Sequence, residues 1–154
     1  MAKTYQAPLF ARLGNVLTTG LLRAGFKLVG FGNYPMYLLT VRGRKSGQPR
    51  TVSIAIIERN GQRYLGAPFG AVDWVRNLRA AGEAILTRGR RSETVNAIEL
   101  PPREAALVLR EEVKDGNPFV RSYGVTADSS LEEFERAAVS HPLFVLERKQ
   151  NGIL

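Results

Sequence analysis

Positive side chains are concentrated in one short stretch of the chain, Val41 to Ser53, which reads VRGRKSGQPRTVS. Its charge comes from Arg42, Arg44, Lys45 and Arg50, and the runs on either side are apolar and β-prone. A hairpin turn here would let the last three cations converge on one anion. Arg binds phosphate or carboxylate as a two-pronged fork, and Lys adds a compact charge. The spacing is compatible with an anion site, with Arg42 left on the solvent side.

The turn and the strand after it bear on this interpretation. Backbone N–H groups of the Ser46-Gly47-Gln48 turn could face the same anion. The alternative is a solvated hairpin, because exposed turns are often basic to oppose edge-to-edge pairing. In the following strand, alternation predicts a small or polar face that could hold a flat ring beside the anion or simply face solvent. That face carries Thr51, Ser53 and Ala55, and the apolar face carries Val52, Ile54 and Ile56.

The composition excludes several kinds of catalytic site. There is no cysteine, so thiolate metal sites, disulfides and cysteine nucleophiles are ruled out. The single histidine, His141, precedes a proline and is predicted to be structural or on the surface. A histidine metal site or a Ser-His-Asp relay is therefore hard to assemble, and a bound cofactor is the favoured source of demanding chemistry.

The chain carries a formal net charge of +8, from 22 Lys and Arg against 14 Asp and Glu. Such a surplus favours an anionic partner, which could be nucleic acid, a membrane surface or a phosphorylated small molecule. Composition does not choose among the three.

Periodicity predicts an α+β fold with about six strands, and tight turns imply antiparallel pairing in a small barrel. We expect a single domain over 1–154, with an amphipathic helical segment over 1–30 and the barrel over 36–154. Gly82 is expected to end the helix that contains DWVRNL, and Asn60-Gly61 to form a tight turn. Predicted strands are Met36–Val41, Arg50–Arg59, Gln62–Pro68, two around the Arg88–Arg91 turn, and PLFVLER. Further helices are predicted after Pro101-Pro102 and after Ser129 or Ser130.

The N-terminal segment is apolar, but charged side chains interrupt it. Phe10, Leu13, Leu17 and Leu21 recur at helical spacing, while Arg12 and Lys27 make a spanning helix costly. We expect a helix docked on the protein's own core. A helix lying on a membrane surface, in contact through residues 8–29, is the alternative. Without a targeting signal, the expected location is the cytoplasm, with membrane association as the alternative.

Three segments resemble the deazaflavin-dependent nitroreductase family of actinobacteria. They read LLTVRGRKSGQPRTVSIAII, YLGAPFGAVDWVRNLRAAGEAILT and PLFVLER. The likeness runs from about Met36 to Leu100 and more loosely to the end. GRKSGQPR followed by a W-x-x-N-L helix is specific as a combination, although either half alone is weak.

The resemblance implies a split β-barrel related to flavin mononucleotide (FMN)-binding proteins, with coenzyme F420 as the cofactor. In such proteins the basic segment holds the phosphate and oligoglutamate tail. A helix N-terminus suits the phosphate side, because its N–H groups and dipole favour anions. Carried over by position, the tail residues are Arg44, Lys45, Ser46 and Arg50; Thr51, Val52, Ser53 and Ile54 line the ribityl chain and ring; and Asp73, Trp74, Val75, Arg76 and Asn77 close the phosphate side.

The chain departs from the family at the loop after the third predicted strand. Relatives often carry a Ser-Lys-Gly-Gly type loop there, whereas this chain has APFGAVD, without the Lys. Ala67, Pro68 and Phe69 are expected beside the ring, or Phe69 in the substrate pocket. Trp74 could equally be an ordinary core anchor. Tyr123 aligns with a substrate-pocket tyrosine and is a candidate proton donor.

The function implied is an F420H2-dependent reductase that passes a hydride to an electron-poor small molecule. Quinones, enones or other activated alkenes, and nitroaromatics are the expected acceptors. The alternatives are an FMN-dependent reductase of the same fold and a basic module for nucleic acid or membrane surfaces. Nucleic acid is disfavoured because the aromatics are not interleaved with the basic clusters. A monomer and a homodimer are both compatible with the sequence.

Overall fold

The computed structural model describes residues 34–150, which form one antiparallel sheet, three α-helices and a 3-10 helix. The strands are β1 (Met36–Arg42), β2 (Pro49–Ala55), β3 (Ile57–Arg59), β4 (Gln62–Gly66), β5 (Glu83–Arg88), β6 (Arg91–Glu99) and β7 (Leu143–Arg148). The helices are α1 (Asp73–Ala81), α2 (Pro102–Lys114), the 3-10 helix (Pro118–Tyr123) and α3 (Leu131–Ser140). The predicted helix over 1–30 and the membrane contact through residues 8–29 lie outside the described residues.

The sheet has the strand order β2-β1-β5-β6-β7-β4-β3, and every neighbouring pair is antiparallel. Its two edge strands, β2 and β3, are consecutive in the chain, and only Ile56 separates them. The sheet must therefore curl until its edges meet, which is what produces a barrel. The predicted α+β split antiparallel barrel is confirmed, with seven strands in place of about six.

The prediction of one strand over Arg50–Arg59 is wrong, because the segment changes partner at Ile56. β2 pairs with β1, whereas β3 pairs with β4 at the other edge of the sheet. At the break, the Ile56 N–H donates to the Pro35 carbonyl at 3.0 Å, and the Ile56 side chain is buried in the barrel. The alternation of side chains continues through the break, which is why periodicity alone predicts a single strand.

Two local signals are confirmed by backbone geometry. Asn60 and Gly61 have φ angles of 51° and 76°, as the tight hairpin between β3 and β4 requires at both central positions. Gly82 adopts φ 70° after α1, and its N–H donates to the Leu78 carbonyl at 2.8 Å. This left-handed cap ends α1 and directs the chain into β5.

The barrel interior is an apolar core to which all the longer strands contribute. Helix α1 lies against this core, and its Val75 and Leu78 side chains are both 0% exposed. Besides Ile56, between β2 and β3, the core contains the strand residues Leu39, Val41, Ile54, Leu65, Ala84, Leu86, Val95, Ala97, Phe144 and Leu146. Helix α1 is thus held rigidly beside β1, where the loop between β1 and β2 begins.

A second apolar cluster joins the later helices to the outside of the sheet. It packs Leu109 of α2 and Phe134 of α3 against Ile57 of β3 and Leu143 of β7. No helix in the described part of the chain is long and apolar enough to cross a membrane.

Polar side chains fasten β3 to α2 beside this cluster. The buried Glu112 carboxylate accepts from Arg59 Nε at 2.9 Å and from Asn117 Nδ2 at 2.8 Å. Burial and the nearby Glu112 raise the pKa of Tyr34 to about 12. Because both carboxylate oxygens have donors, burying this charge is compensated by hydrogen bonds.

Candidate functional site

The loop Gly43–Gln48 between β1 and β2, called here the basic hairpin, is docked on helix α1 through Arg44. The Arg44 backbone N–H and Nη1 both donate to Asn77 Oδ1, at 3.1 and 2.7 Å. Arg44 Nη2 forms an ion pair with the Asp73 carboxylate at 3.3 Å. Asn77 is only 7% exposed, so its side chain is a fixed acceptor. The two segments whose combination was singled out in the sequence are therefore in direct contact.

The interior of the basic hairpin is held by its own hydrogen bonds. Gly47 N–H donates to the Gly43 carbonyl at 2.8 Å, and Gln48 N–H donates to Ser46 Oγ at 3.2 Å. The expectation that the backbone N–H groups of Gly47 and Gln48 face an anion is therefore wrong, because both are used within the turn. Gly47 has φ 71°, the left-handed conformation that glycine adopts without strain.

Three of the cations assigned to the cofactor have no carboxylate partner among the described residues. Lys45, Arg50 and Arg76 are exposed, and none of them forms a salt bridge within residues 34–150. Gly43 allows the hairpin to close tightly, since a Cβ there would lie 2.8 Å from Ser46 Oγ and 3.1 Å from the Gln48 carbonyl oxygen. The structure thus leaves a positively charged surface beside the start of α1.

The N-terminus of α1 adds to this positive surface. Its N-cap residue, Val72, supplies no side-chain hydrogen bond, so the first N–H groups of the helix are not capped by a side chain. Such groups, with the helix dipole, favour an anion. Asp73 opposes it, but its carboxylate is paired with Arg44. The net charge of the side chains around the start of α1 therefore remains positive.

The strand residues assigned to the cofactor divide between two faces. Thr51 and Ser53 lie outside the barrel and are half-buried. Thr51 Oγ1 and Thr40 Oγ1 are 2.9 Å apart, and Ser53 Oγ is buried with no hydrogen-bond partner among the described residues. The remaining side chains, of Val52, Ile54, Ala67, Trp74 and Val75, belong to the barrel core or pack against it. Ile54, Ala67 and Val75 are buried, whereas Val52 and Trp74 are half-buried.

The loop from Ala67 to Val72 connects β4 to α1 along the chain, and it also contacts the end of α3. The Ala67 carbonyl accepts from His141 Nδ1 at 3.2 Å, at the end of α3. Gly70 has φ 75°, and a Cβ there would lie 3.1 Å from the Ser140 carbonyl. Between these fixed points Phe69 is 86% exposed. An exposed aromatic ring therefore lies on a loop that is fixed against the end of α3, with Pro68 half-buried beside it.

Tyr123 lies on the α3 side of this loop and does not belong to the cluster around Arg44. Its ring stacks on His141 with centroids 4.0 Å apart and planes 7° apart. It is 7% exposed, and burial raises the pKa of its phenol. A Cβ on Gly66 would lie 3.2 Å from the Tyr123 hydroxyl, so a larger residue in β4 would press on it.

A cleft of about 400 Å³ opens between the 3-10 helix and α3. Besides the stacked pair, its polar lining comes from Ser129, Glu133, Arg136 and Ser140. The prediction of His141 as structural or on the surface understates its position, because the ring is bonded to the loop and also lines the cleft. Nothing local in the sequence signals this, since Ala67 and His141 are 74 positions apart.

Solved structures share this fold at low sequence identity. A protein solved as a domain-swapped dimer has 24% identity and a TM-score of 0.55, covering 90% of this chain and 97% of its own. A structure of an F420-H2 dependent reductase has 24% identity and a TM-score of 0.51, covering 73% and 93%. A pyridoxinephosphate oxidase family protein from Clostridium acetobutylicum has 11% identity and a TM-score of 0.51, covering 86% and 82%. These likenesses establish the fold.

No curated protein sequence matches this chain significantly. A family model described as F420H(2)-dependent quinone reductase matches residues 22–132. The matched range contains the basic hairpin, α1 and Tyr123. It confirms the predicted oxidoreductase class and the predicted cofactor, coenzyme F420. The chain belongs to the F420H2-dependent quinone reductase family.

Proposed function

We propose that this protein reduces an electron-poor small molecule of the quinone class with F420H2, and that the basic hairpin and the start of α1 hold the anionic tail of the cofactor. The observation that carries the proposal is the docking of the basic hairpin on α1 through Arg44 and Asn77. It places Lys45 and Arg50, which lack carboxylate partners in residues 34–150, beside an uncapped helix start.

The residues present fit the tail of the cofactor. A phosphate and several carboxylates need cations and N–H groups that are not already neutralised. Lys45, Arg50 and Arg76 meet this need, whereas Arg44 is engaged by Asp73 and Asn77 and serves mainly to position the hairpin. The net charge of +8 acts in the same direction at longer range.

The ring of the cofactor is assigned to the outer face of β2 and the loop after β4. Thr51 and Ser53 lie on that face, and the buried Ser53 hydroxyl lacks a hydrogen-bond partner in the described structure. The backbone of Val52 and Ile54, and the loop residues Ala67 to Phe69, complete the assignment. When bound, reduced deazaflavin supplies a hydride, and the protein orients the two reactants and excludes water.

The acceptor is assigned to the cleft beside this loop. Tyr123 and His141 line the cleft, and the exposed ring of Phe69 lies on the loop that His141 contacts through the Ala67 carbonyl. An apolar surface beside a few polar groups suits a planar molecule with carbonyl oxygens. A quinone has this chemistry, and enones and nitroaromatics are related acceptors that the same groups would take.

Titration of the purified full-length chain with coenzyme F420 tests the proposal, with FMN titrated in parallel under the same conditions. Fluorescence or calorimetry should show saturable binding of F420 and much weaker binding of FMN. Absence of F420 binding at tens of micromolar would overturn the assignment. Preference for FMN would favour the second candidate, an FMN-dependent reductase of the same fold.

Removing single cations tests which groups hold the tail. Lys45→Ala and Arg50→Ala should each weaken F420 binding by about 1–3 kcal/mol, the scale of a charge-assisted hydrogen bond. Arg90→Ala is the matched control, because Arg90 is an exposed cation in the turn between β5 and β6, away from α1. Equal losses in all three variants would mean that only the net charge matters, and normal binding in the first two would refute the assignment.

A further inference from the structure

His141 is the only histidine of the chain and is held in one orientation by two contacts. Its Nδ1 lies 3.2 Å from the Ala67 carbonyl, and a carbonyl oxygen can only accept a hydrogen bond. Nδ1 must therefore carry a proton in this contact. The Tyr123 ring stacks on the imidazole at 4.0 Å and fixes its plane.

The other ring nitrogen, Nε2, is left for a ligand. Within residues 34–150, Nε2 takes part in no hydrogen bond, and His141 lines the cleft between the 3-10 helix and α3. With Nδ1 protonated, the neutral ring has an acceptor at Nε2 and the protonated ring has a donor there. A ring oriented in this way is suited to moving a proton at one defined atom.

We propose that His141 Nε2 is the proton donor to the reduced acceptor in the cleft. This inference rests on the proposed function, because it assumes that the acceptor lies in the cleft beside the loop. It differs from the expectation from the sequence, in which the proton comes from solvent or from a nearby hydroxyl such as that of Tyr123. Burial raises the pKa of the Tyr123 phenol, which makes that hydroxyl a weaker acid but leaves it as a hydrogen-bond donor.

The step balances with the chain's own groups. Hydride addition gives the acceptor two electrons and one hydrogen nucleus, and leaves negative charge on an acceptor oxygen. The Nε2–H bond then breaks, and a new O–H bond forms on that oxygen. The neutral imidazole regains its proton from solvent through the open cleft. The acceptor has then gained a hydride and a proton, as a quinone does in becoming a hydroquinone.

The charged and titratable groups around the ring are few. Glu133 and Arg136 of α3 and Tyr123 of the 3-10 helix line the same cleft, and the loop from Ala67 to Val72 contributes no charged side chain. Glu133 also accepts from the Ser130 N–H at 2.9 Å in the helix cap. Arg136, an exposed cation near the ring, would additionally stabilise a negative oxygen on the acceptor.

Two substitutions separate a chemical role of His141 from a structural one. Asn in His141→Asn places its amide N–H near the position of Nδ1, so the bond to Ala67 is kept while Nε2 is lost. Gln in His141→Gln places an amide nitrogen near Nε2, which can donate a hydrogen bond but cannot release a proton. Thermal unfolding should show that His141→Asn is folded, with a Tm close to that of the parent chain.

With F420H2 and duroquinone as probes, His141→Asn should lower kcat/KM about 100-fold or more, as expected for loss of a general acid. His141→Gln should lower kcat with little change in KM. F420 binding should be unchanged in both variants. If His141→Asn turns over normally, the ring is only structural and the inference is wrong. If the parent chain itself neither binds F420 nor turns over, the proposed function fails instead.

Magnetic resonance gives a readout that does not depend on activity. Because the chain has one histidine, a ¹⁵N-imidazole spectrum reports on a single ring. The neutral ring should show the Nδ1–H tautomer, and duroquinone should shift the Nε2 resonance of the cofactor-free protein. An Nε2–H tautomer, or no shift with saturating duroquinone, would overturn the assignment of Nε2 to the acceptor.

Discussion

Arg44 stands out in the sequence by its charge, but in the structure it serves mainly to position the other residues of the basic hairpin. The sequence singles it out as a ligand for an anion, but the structure gives its guanidinium two partners on α1, Asp73 and Asn77. Because its guanidinium is already bonded to the Asp73 carboxylate and to the buried Asn77 amide oxygen, Arg44 has few donors left for a ligand. Its contribution is to hold Lys45 and Arg50 beside the start of α1. Asn77, which fixes Arg44, is therefore as important for the position of the basic hairpin as any of its cations.

Asn77→Leu should therefore loosen the basic hairpin. The substitution removes the oxygen that accepts both the Arg44 N–H and Nη1, and leaves these donors with one partner fewer. We expect a loss of about 1–3 kcal/mol in the free energy of unfolding, because the Arg44 donors lose a charge-assisted bond to a buried acceptor. Urea denaturation measures this loss. Asn77→Asp keeps the acceptor and is the control, and equal stability of the two variants would contradict the positioning role.

The residues of the site were predictable to different degrees for a physical reason. Lys45 and Arg50 stand out because charge and turn chemistry are local properties of the sequence. The Arg44–Asn77 contact was indicated only by the joint presence of two motifs. The contact of His141 with Ala67 joins positions 74 apart, and no local pattern encodes it. The resemblance to the family pointed to Tyr123 but not to the ring stacked on it.

At the scale of elements, local chemistry predicted most of the helices and turns. Gly82 ends α1, Asn60-Gly61 forms the hairpin turn, and Pro102 opens α2 as expected. The order of strands in the sheet was not predictable, since it depends on pairing between distant segments. The break at Ile56 was unpredictable for the same reason, because it is defined by pairing: the segment before it pairs with β1 and the segment after it pairs with β4.

Helix α3 depends on its N-terminal cap. Ser130 Oγ accepts from the Glu133 N–H at 3.2 Å, and the Glu133 side chain accepts from the Ser130 N–H at 2.9 Å. This capping box stabilises the first turn of the helix that ends at His141.

Ser130→Ala should lower the free energy of unfolding by about 1 kcal/mol, because one N–H of the first turn loses its acceptor. Chemical denaturation should detect the change, and hydrogen exchange should show the extra opening in α3. Ser122→Ala is a suitable control, since Ser122 is exposed and makes no side-chain hydrogen bond among residues 34–150. A loss of equal size in the control would rule out the cap as the cause.

At the scale of the whole molecule, the two ends of the barrel are closed by different means. Helix α1 closes one end, where Arg79 pairs with Glu99 at the end of β6. Toward the start of β6, Glu93 bonds to Arg63 of β4 and to Arg148 of β7, the latter at 2.9 Å. One half-buried carboxylate thus ties three strands together at the end of the barrel away from α1. The Arg88 guanidinium lies 5.5 Å from the centre of the Tyr37 ring, which adds a contact between β5 and β1.

Glu93 makes the stability of the barrel depend on pH. The hydrogen bond from Arg63, supported by Arg148, holds the pKa of Glu93 below its ordinary value of 4.5. The stabilisation is therefore complete above that ordinary value, and it is lost as the pH falls through the lower pKa of the folded state. The carboxylate is 20% exposed, so water screens the interaction only in part.

Glu93→Gln should lower the free energy of unfolding at pH 7 by about 1–3 kcal/mol, because the arginines keep an acceptor but lose its charge. Below the folded-state pKa the parent chain has itself lost this charge, so the difference between the two proteins should shrink toward zero. Urea denaturation at a series of pH values from 7 downward measures both effects. Glu58→Gln is the control, since Glu58 is an exposed carboxylate of β3 without an ion pair in residues 34–150. A difference that stays constant at all pH values would show that Glu93 acts through packing, and that charge does not close this end of the barrel.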